Sequence, residues 1–326
     1  MRNSILAALG IAVAVASPAY AWFWGSGPKV VTLNGAGATF PAPLYQNWFQ
    51  TYAQEGGHRV NYQAVGSGSG VRQYNKGTTD FGASDKALSD DKITNPVVQI
   101  PMTGGAIVPA YNNPGCDAKM TQTELADVFL GRITNWNHFG CEDKGITVVY
   151  RSDGSGTTAG FTASLSAFSP DFKEQVGSGK AVNFPVGTGG KGNSGVAGQI
   201  KGVDGAIGYL NYGYVVNSDF QQVSLQNRAG NFVTANAETS SSGLNQIVLD
   251  DKLRGSDPNP AGVNSYPIVS LTWILAHPEH PKNDAMKEVF TYMLSDESQS
   301  KSDALGYVPL PESIRVQARA AVDSLK

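Results

Sequence analysis

The sequence predicts a two-lobed α/β protein in which each lobe is a mostly parallel sheet flanked by helices. Strand-like and helix-like stretches alternate along most of the chain, which is typical of parallel βαβ units. Two long apolar stretches, residues 102–112 and 266–276, are candidates for strands that cross between lobes. Loops rich in glycine and serine follow several strands. We therefore expect an N-terminal lobe that the C-terminus completes, a central lobe inserted into it, and a ligand cleft between them.

The predicted elements follow from apolar runs and from capping residues. Pro41 and Pro43 suit a first helical turn. Thr121 with Glu124 three residues later forms a capping box. The predicted strands cover residues 30–33, 59–65, 79–85, 97–111, 146–150, 182–186, 206–210 and 266–276. The predicted helices cover residues 41–54, 71–76, 121–130, 159–168, 196–200, 244–253, 285–294 and 312–325.

The N-terminus has the pattern of a secretory signal peptide over residues 1–21. Arg2 is followed by an apolar run over residues 5–16 and by an A-x-A site that predicts cleavage after Ala21. A transmembrane anchor is the alternative, but it needs about 20 apolar residues. Because no cysteine directly follows the cleavage site, we expect an exported protein without a lipid anchor.

The composition argues against a nucleic-acid binder. The 326 residues carry a net charge of −3, which becomes −4 without residues 1–21, and no basic run occurs. An anion site in such a chain depends on local donors rather than on an overall positive field. The roughly 305 remaining residues are enough for two medium-sized lobes.

The chain has two cysteines, Cys116 and Cys141. In an oxidising compartment a disulfide between them is the simplest interpretation. The alternative is a metal or catalytic role, which lacks support because neither a CxxC motif nor a histidine at ligand spacing accompanies them.

The loop at residues 151–158, Arg-Ser-Asp-Gly-Ser-Gly-Thr-Thr, joins a predicted strand to a predicted helix. Unpaired N–H groups at a helix N-terminus favour an anion, and glycines let the backbone approach it closely. Arg151 adds a planar, always-charged fork that suits an oxyanion. Two interpretations stay open for this loop alone, an anion site and an ordinary capped turn with a surface arginine.

Three further glycine-rich loops precede helices, at residues 34–40, 66–70 and 187–195. The first is no dinucleotide fingerprint, because Phe40 stands where its third glycine is required, and the last is no P-loop. The second suits a donor-rich loop better than a flexible linker. Asp85 ends a predicted strand, at the edge where open α/β sheets bind ligands. An aspartate that caps a helix in a turn is the alternative there.

Six motifs carry a resemblance to a known family. They are GAGATFPAP at 35–43, NYQAVGS at 61–67, DFGASD at 80–85, RSDGSGT at 151–157, GGKGN at 189–193 and GAIGY at 205–209. Over nearly the whole chain after residue 21, the sequence resembles the periplasmic phosphate-binding proteins of ABC-type phosphate importers, the PstS family. The resemblance implies the type II periplasmic-binding-protein fold, with lobe I at residues 22–105 and 273–326 and lobe II at 106–272.

The resemblance also implies a ligand and a location. We expect a periplasmic monomer that binds inorganic phosphate and delivers it to the membrane permease subunits of an ABC phosphate importer. No catalytic residue, metal or cofactor is implied. Asp85 corresponds to an acceptor carboxylate, and Asp153 to an acid that orients the arginine. The expected donors are Thr39, Phe40 through its backbone N–H, Ser67, Arg151, Ser155, Gly156 through its backbone N–H, and Thr157.

Asp85 distinguishes candidate ligands that carry a proton from those that do not. A carboxylate faces an anion favourably only if the anion has a proton to donate, as hydrogen phosphate has and sulfate at neutral pH has not. Binding of another oxyanion (sulfate, arsenate or a phosphonate) is the first alternative, and arsenate is a close isostere of phosphate. A phosphatase is the second, but no nucleophile elbow or HExxH motif occurs.

Overall fold

The computed structural model describes residues 30–216 and 218–326. The predicted signal peptide at residues 1–21 and its cleavage site lie outside the described residues. Twelve strands and ten α-helices occur in the part of the chain that is described. The strands are β1 Thr32–Gly37, β2 Arg59–Ala64, β3 Phe81–Ser84, β4 Val98–Asn112, β5 Lys119–Met120, β6 Thr147–Arg151, β7 Thr188–Gly190, β8 Ala206–Asn211, β9 Gln221–Gln222, β10 Ser224–Gln226, β11 Phe232–Val233 and β12 Val269–Ala276. The helices are α1 Ala42–Gln54, α2 Ser67–Asn75, α3 Gln122–Phe129, α4 Gly156–Phe168, α5 Pro170–Gln175, α6 Gly192–Gly202, α7 Ala237–Leu244, α8 Asn283–Met293, α9 Asp296–Ser300 and α10 Glu312–Asp323.

The main sheet has the strand order β2-β1-β3-β12-β4-β8-β6-β7, with β9 also paired to β4. The strands that follow one another through helices are parallel: β1 pairs parallel with β2 and β3, and β6 with β7 and β8. The two long strands β4 and β12 run antiparallel to their neighbours. The predicted fold class with mostly parallel sheets is confirmed. Of the two stretches predicted to cross, β4 pairs with strands on both sides, and β12 pairs with β3 and β4.

The strand β4 connects the two parts of this sheet. Its residues up to Ala106 pair with β12, and its residues from Ile107 pair with β8. We call β1, β2, β3, β12 and the first part of β4 the first lobe, and β6, β7, β8 and the rest of β4 the second lobe. The lobe boundaries predicted at 105/106 and 272/273 stay a prediction.

Aromatic side chains fill the core on both sides of the crossing. In the first lobe Phe81 packs edge-on against Phe290 of α8, with ring centroids 5.5 Å apart. In the second lobe Phe161 of α4 stacks on Tyr209 of β8 at 4.2 Å. Aromatic pairs of these geometries add to the free energy gained by burying their area. Within the described residues, no helix combines the length and the apolar character that a bilayer span requires.

One predicted strand is absent, and one predicted helix lies elsewhere in the chain. Residues 182–186 form no strand, and the strand beside β6 is the glycine-rich β7 instead. Pro185 has no N–H for a ladder, and Phe184 packs on Phe129 and Tyr150 rather than alternating across a sheet. The helix predicted at residues 244–253 lies earlier, as α7, because Asn236 and Thr239 form a capping box that starts it there.

A disulfide joins Cys116 and Cys141, whose Cα atoms are 5.2 Å apart, so the predicted pairing is confirmed. It ties the turn after β4 to the segment that follows the 3₁₀ turn Trp136–Phe139. The bridge closes a loop with a sequence separation of 25 residues. Such a loop restricts the unfolded chain and stabilises the fold by about 3 kcal/mol on the loop-entropy relation.

We therefore expect the double variant C116S/C141S to lose about 3 kcal/mol of unfolding free energy, because its unfolded chain regains the loop entropy. Guanidinium unfolding of the oxidised proteins measures this difference. Dithiothreitol should bring the wild-type midpoint to that of the variant and leave the variant unchanged. Equal midpoints of the two oxidised proteins would show that the bridge contributes nothing to stability.

Candidate functional site

The first lobe places its four predicted site residues at one edge of the sheet. Thr39 and Phe40 follow β1, Ser67 begins α2 directly after β2, and Asp85 follows β3. Because β1, β2 and β3 are parallel, their carboxyl ends meet at the same edge. All four residues are buried, with Asp85 only 4% exposed.

The second lobe brings the loop at residues 151–158 to the same edge. Arg151 is the last residue of β6, and α4 begins at Gly156, three residues earlier than the sequence predicted. Ser155 is the N-cap residue of α4, and its Oγ accepts a hydrogen bond of 3.0 Å from the Thr158 N–H. Its hydroxyl hydrogen is thereby left for another acceptor.

The Gly-Ser stretch at residues 66–70 is the start of a helix rather than a loop. The helix α2 begins at Ser67, and Gly66 before it has φ +88°, a conformation that glycine adopts without a Cβ penalty. Ser67 and Gly156 therefore both stand in the first turn of a helix, where backbone N–H groups lack intrahelical partners. Two helix N-termini converge on the cluster, and each favours negative charge.

The two lobes are hydrogen-bonded to each other at this cluster. The Gly156 N–H donates to Ser67 Oγ at 3.1 Å, and the Gly68 N–H donates to the Gly154 carbonyl at 2.7 Å. A Cβ at position 156 would lie 2.6 Å from Asp85 Cβ and 2.7 Å from Ser67 Oγ. Only glycine at position 156 permits this approach. The loop therefore has the residue that contact between the lobes requires.

Arg151 is held by Asp153. Its Nε and Nη2 donate to the two oxygens of that carboxylate at 2.8 and 2.7 Å, and its side chain is 1% exposed. Burial opposes ionisation of Asp153, but the hydrogen bonds and charge of Arg151 outweigh it, so the pKa of Asp153 lies below its ordinary value. The remaining nitrogen, Nη1, points to Thr157 Oγ1 at 3.4 Å. The predicted pairing of the two residues thus directs one edge of the guanidinium into the cluster.

Asp85 is the buried acid of the cluster. Its Oδ2 lies 3.4 Å from both Ser67 Oγ and Thr157 Oγ1, and its Oδ1 accepts a hydrogen bond of 3.0 Å from Thr272 Oγ1. Burial raises the pKa of Asp85 to about 6, against the lowering effects of Thr272 and of the Arg151 charge. Asp85 is therefore a carboxylate at neutral pH and a carboxylic acid in mildly acidic solution.

Asn193 and Lys180 are among the residues at the cluster that the sequence analysis missed. Asn193, in the first turn of α6, donates through Nδ2 to Thr39 Oγ1 at 2.9 Å and to Thr157 Oγ1 at 3.3 Å. It lies in the GGKGN motif, so a signal existed. Lys180 reaches Ser84 Oγ at 2.9 Å, and burial lowers its pKa to about 8 although Asp85 opposes this. Lys180 follows a loop without any motif, and its position depends on the fold.

The cluster can therefore hold an anion by donors from both lobes. One guanidinium, the four hydroxyls of the predicted donors and the N-termini of α2 and α4 lie at the cluster with one buried carboxylate, Asp85. In the described residues, no group of three or more metal-binding side chains is arranged around a common point. The four histidines contact partners outside the cluster, among them Glu288, Glu124, Glu279 and Asp80.

Comparison with known proteins places the chain in a family. A model of the PBP superfamily domain matches residues 25–297. The phosphate-binding protein PstS of Pasteurella multocida is 38% identical over 316 residues, covering 88% of this chain and 89% of the relative. That of Haemophilus influenzae is 37% identical, with 87% and 90% covered. The chain belongs to the PstS family. The resemblance of its motifs to that family is thereby confirmed.

Solved structures show that the fold is shared. A high-affinity periplasmic phosphate-binding protein, solved with bound phosphate, has a TM-score of 0.74 at 22% identity and covers 89% of this chain and 93% of its own. A phosphate ABC transporter substrate-binding protein from Clostridium perfringens, also solved with phosphate, has a TM-score of 0.67 at 19% identity, with 86% and 100% covered.

The Arg151–Asp153 pair gives a test that needs no ligand. Asp153→Ala leaves a buried guanidinium without its counter-charge, which costs about 3–5 kcal/mol of unfolding free energy. The double variant R151M/D153A removes both charges and should recover part of this loss. Urea unfolding of the three proteins measures the differences.

Glu297→Ala is the matched control, because Glu297 pairs with Lys301 on the surface, where both side chains are largely exposed. Its unfolding midpoint should stay at the wild-type value, since exposed pairs contribute little. An Asp153→Ala midpoint equal to that of the control would contradict a stabilising role of the buried Arg151–Asp153 pair.

Proposed function

We propose that this protein binds inorganic phosphate between its two lobes and delivers it, as a periplasmic monomer, to the membrane permease of an ABC-type phosphate importer. The observation that carries the proposal is a single buried carboxylate, Asp85, set among donors from both lobes. Named relatives at 37–38% identity are phosphate-binding proteins, and this supports the ligand. The proposed ligand groups are Thr39, Phe40 N–H, Ser67, Asp85, Arg151, Ser155, Gly156 N–H and Thr157.

The donors suit a dehydrated tetrahedral oxyanion. Each charge-assisted hydrogen bond contributes about 1.5–3 kcal/mol net, because removing water from the ion offsets much of the attraction. Several such bonds are therefore needed at once. The guanidinium edge of Arg151 is pre-oriented by Asp153, so little side-chain freedom is lost when it binds.

Asp85 gives the site its selectivity. Hydrogen phosphate can donate its proton to Asp85 Oδ2, and the pair then forms one hydrogen bond. Sulfate at neutral pH would place an unprotonated oxygen against the carboxylate, which leaves two desolvated acceptors facing each other. This is the reason to prefer phosphate to sulfate among oxyanions of similar size.

Closure of the lobes links binding to transport. Thr39, Ser67 and Asp85 belong to the first lobe, and Arg151, Gly156 and Thr157 to the second. A ligand that contacts both sets binds more tightly when the lobes touch. This difference in affinity shifts the equilibrium toward the state in which they touch. In the proposed cycle the permease recognises this closed state.

A phosphatase is the weaker alternative. Hydrolysis of a phosphate ester needs a nucleophile with a base or a metal pair. The hydroxyls of Ser67 and Thr157 contact Asp85 and Arg151, and the histidines lie elsewhere. We therefore propose binding without catalysis.

Calorimetry with phosphate, and with sulfate as competitor, tests the proposal. The wild type should bind phosphate at pH 8 and reject sulfate. Asp85→Asn presents an amide that can donate to sulfate, so the ratio of phosphate to sulfate affinity should fall at least about tenfold. As the pH falls through about 6, Asp85 becomes protonated and can donate likewise, so sulfate should bind the wild type more tightly in acid.

The control is Asp91→Asn, which makes the same change of charge on a side chain that is 65% exposed. It should keep the wild-type ratio. A wild type that shows no heat with phosphate, or that binds sulfate equally well at pH 8, would contradict the proposed function.

A further inference from the structure

The two oxygens of Asp85 have different surroundings. Oδ2 faces the hydroxyls of Ser67 and Thr157, which belong to opposite lobes, at 3.4 Å each. Oδ1 faces the first lobe and accepts a shorter bond, 3.0 Å, from the hydroxyl of Thr272. The carboxylate is thus held in place through Oδ1, and Oδ2 faces the groups of both lobes.

Thr272 lies in the middle of β12 and is fully buried. The register of β12 on β4 shifts between Thr272 and Trp273, where Thr272 is opposite Thr103 and Trp273 is opposite Pro101. Irregularities of this kind re-aim side chains and are frequent next to functional sites. A hydroxyl in a buried central strand needs a hydrogen-bond partner, and here that partner is Asp85.

A second hydrogen bond from β12 holds the backbone of Asp85. Ser270, two residues before Thr272 and on the same face of the strand, donates through Oγ to the Asp85 carbonyl at 3.1 Å. The end of β3 and the side chain of Asp85 are therefore both held from β12. This arrangement leaves Asp85 little freedom to turn Oδ2 away from the second lobe.

We propose that Thr272 is the residue that positions Asp85 for selection of protonated oxyanions. The Thr272 hydroxyl donates a hydrogen bond to Oδ1, which leaves Oδ2 directed to the ligand. Because a donor to Oδ1 favours the ionised carboxylate, Asp85 stays a hydrogen-bond acceptor. This inference rests on the proposed function, because it concerns the selectivity of the same site.

The charges around Asp85 support this role. Arg151 and Lys180 are the cations that act on it, and the hydroxyls of Thr272 and Ser67 bond to it. Among the contributions that lower the pKa of Asp85 against its burial, the Thr272 hydrogen bond is the largest. Four buried tyrosines also lie near Asp85, and burial raises their pKa values so that they stay neutral: Tyr45, Tyr62, Tyr214 and Tyr307.

Thr272→Val tests the inference, because valine has nearly the same shape and lacks the hydroxyl. Without that donor, the pKa of Asp85 should rise further, and more of the protein carries a protonated Asp85 at a given pH. The pH at which sulfate begins to compete with phosphate should move up by about one unit, and the phosphate-to-sulfate affinity ratio at pH 7 should fall several-fold. Calorimetry from pH 5 to 9 with the two ions measures both quantities.

Three variants accompany it. Thr272→Ser keeps the hydroxyl and should retain the wild-type pH profile. Thr272→Ala deletes the hydroxyl with less bulk and replaces the valine variant if that does not fold. Thr103→Val removes a buried hydroxyl from the strand position opposite, where it donates to the Val308 carbonyl at 2.9 Å, and should leave the profile unchanged.

The outcomes separate the inference from the proposed function. A wild type that does not bind phosphate overturns the proposed function. A wild type that binds phosphate, together with valine and alanine variants that keep its pH profile, overturns the role of Thr272 alone. Variants that weaken phosphate and sulfate by the same factor at every pH would assign Thr272 a packing role only, and would likewise overturn the inference.

Discussion

The arrangement of the cluster depends on one buried carboxylate among hydrogen-bond donors. Asp85, on the first lobe, is 4% exposed, and the charge of Arg151, on the second lobe, acts on it. Burial makes an unpaired charge costly, so the surrounding hydroxyls and cations are needed to keep it ionised near neutral pH. The short interlobe contacts at Gly156 follow from the same requirement, because they bring the donors of the second lobe to this acid.

Much of this was predictable from the sequence. The alternation of strands and helices predicted the fold class, and glycine-rich loops at strand ends predicted where donors would gather. Such predictions succeed because a glycine-rich turn before a helix has a local physical cause. The individual residues, from Thr39 to Thr157, were implied by the resemblance of these motifs to the family. The pairing of Arg151 with Asp153 was implied by the resemblance to the family, and the structure gives it as a two-pronged ion pair. Their roles toward a ligand stay proposals.

The residues that sequence reasoning missed owe their positions to tertiary structure. Thr272 is 187 residues from Asp85, and Lys180 is 96 residues from Ser84. Neither belongs to a local pattern, since a threonine in an apolar strand looks like core. The wrong strand at residues 182–186 has a related origin: apolar residues there pack on aromatic rings, while the neighbouring glycines form the sheet edge. The spacing of apolar residues along the sequence does not show which tertiary contacts they make.

The most direct measurement compares hydrogen phosphate with monofluorophosphate at pH 8 by calorimetry. The two dianions are alike in charge and size, but only hydrogen phosphate has a proton to donate. If Asp85 accepts that proton, monofluorophosphate should bind at least about a hundredfold more weakly, and Asp85→Asn should remove most of the difference. Equal affinity of the wild type for the two ions would contradict the account, because selection would then rest on shape and charge alone.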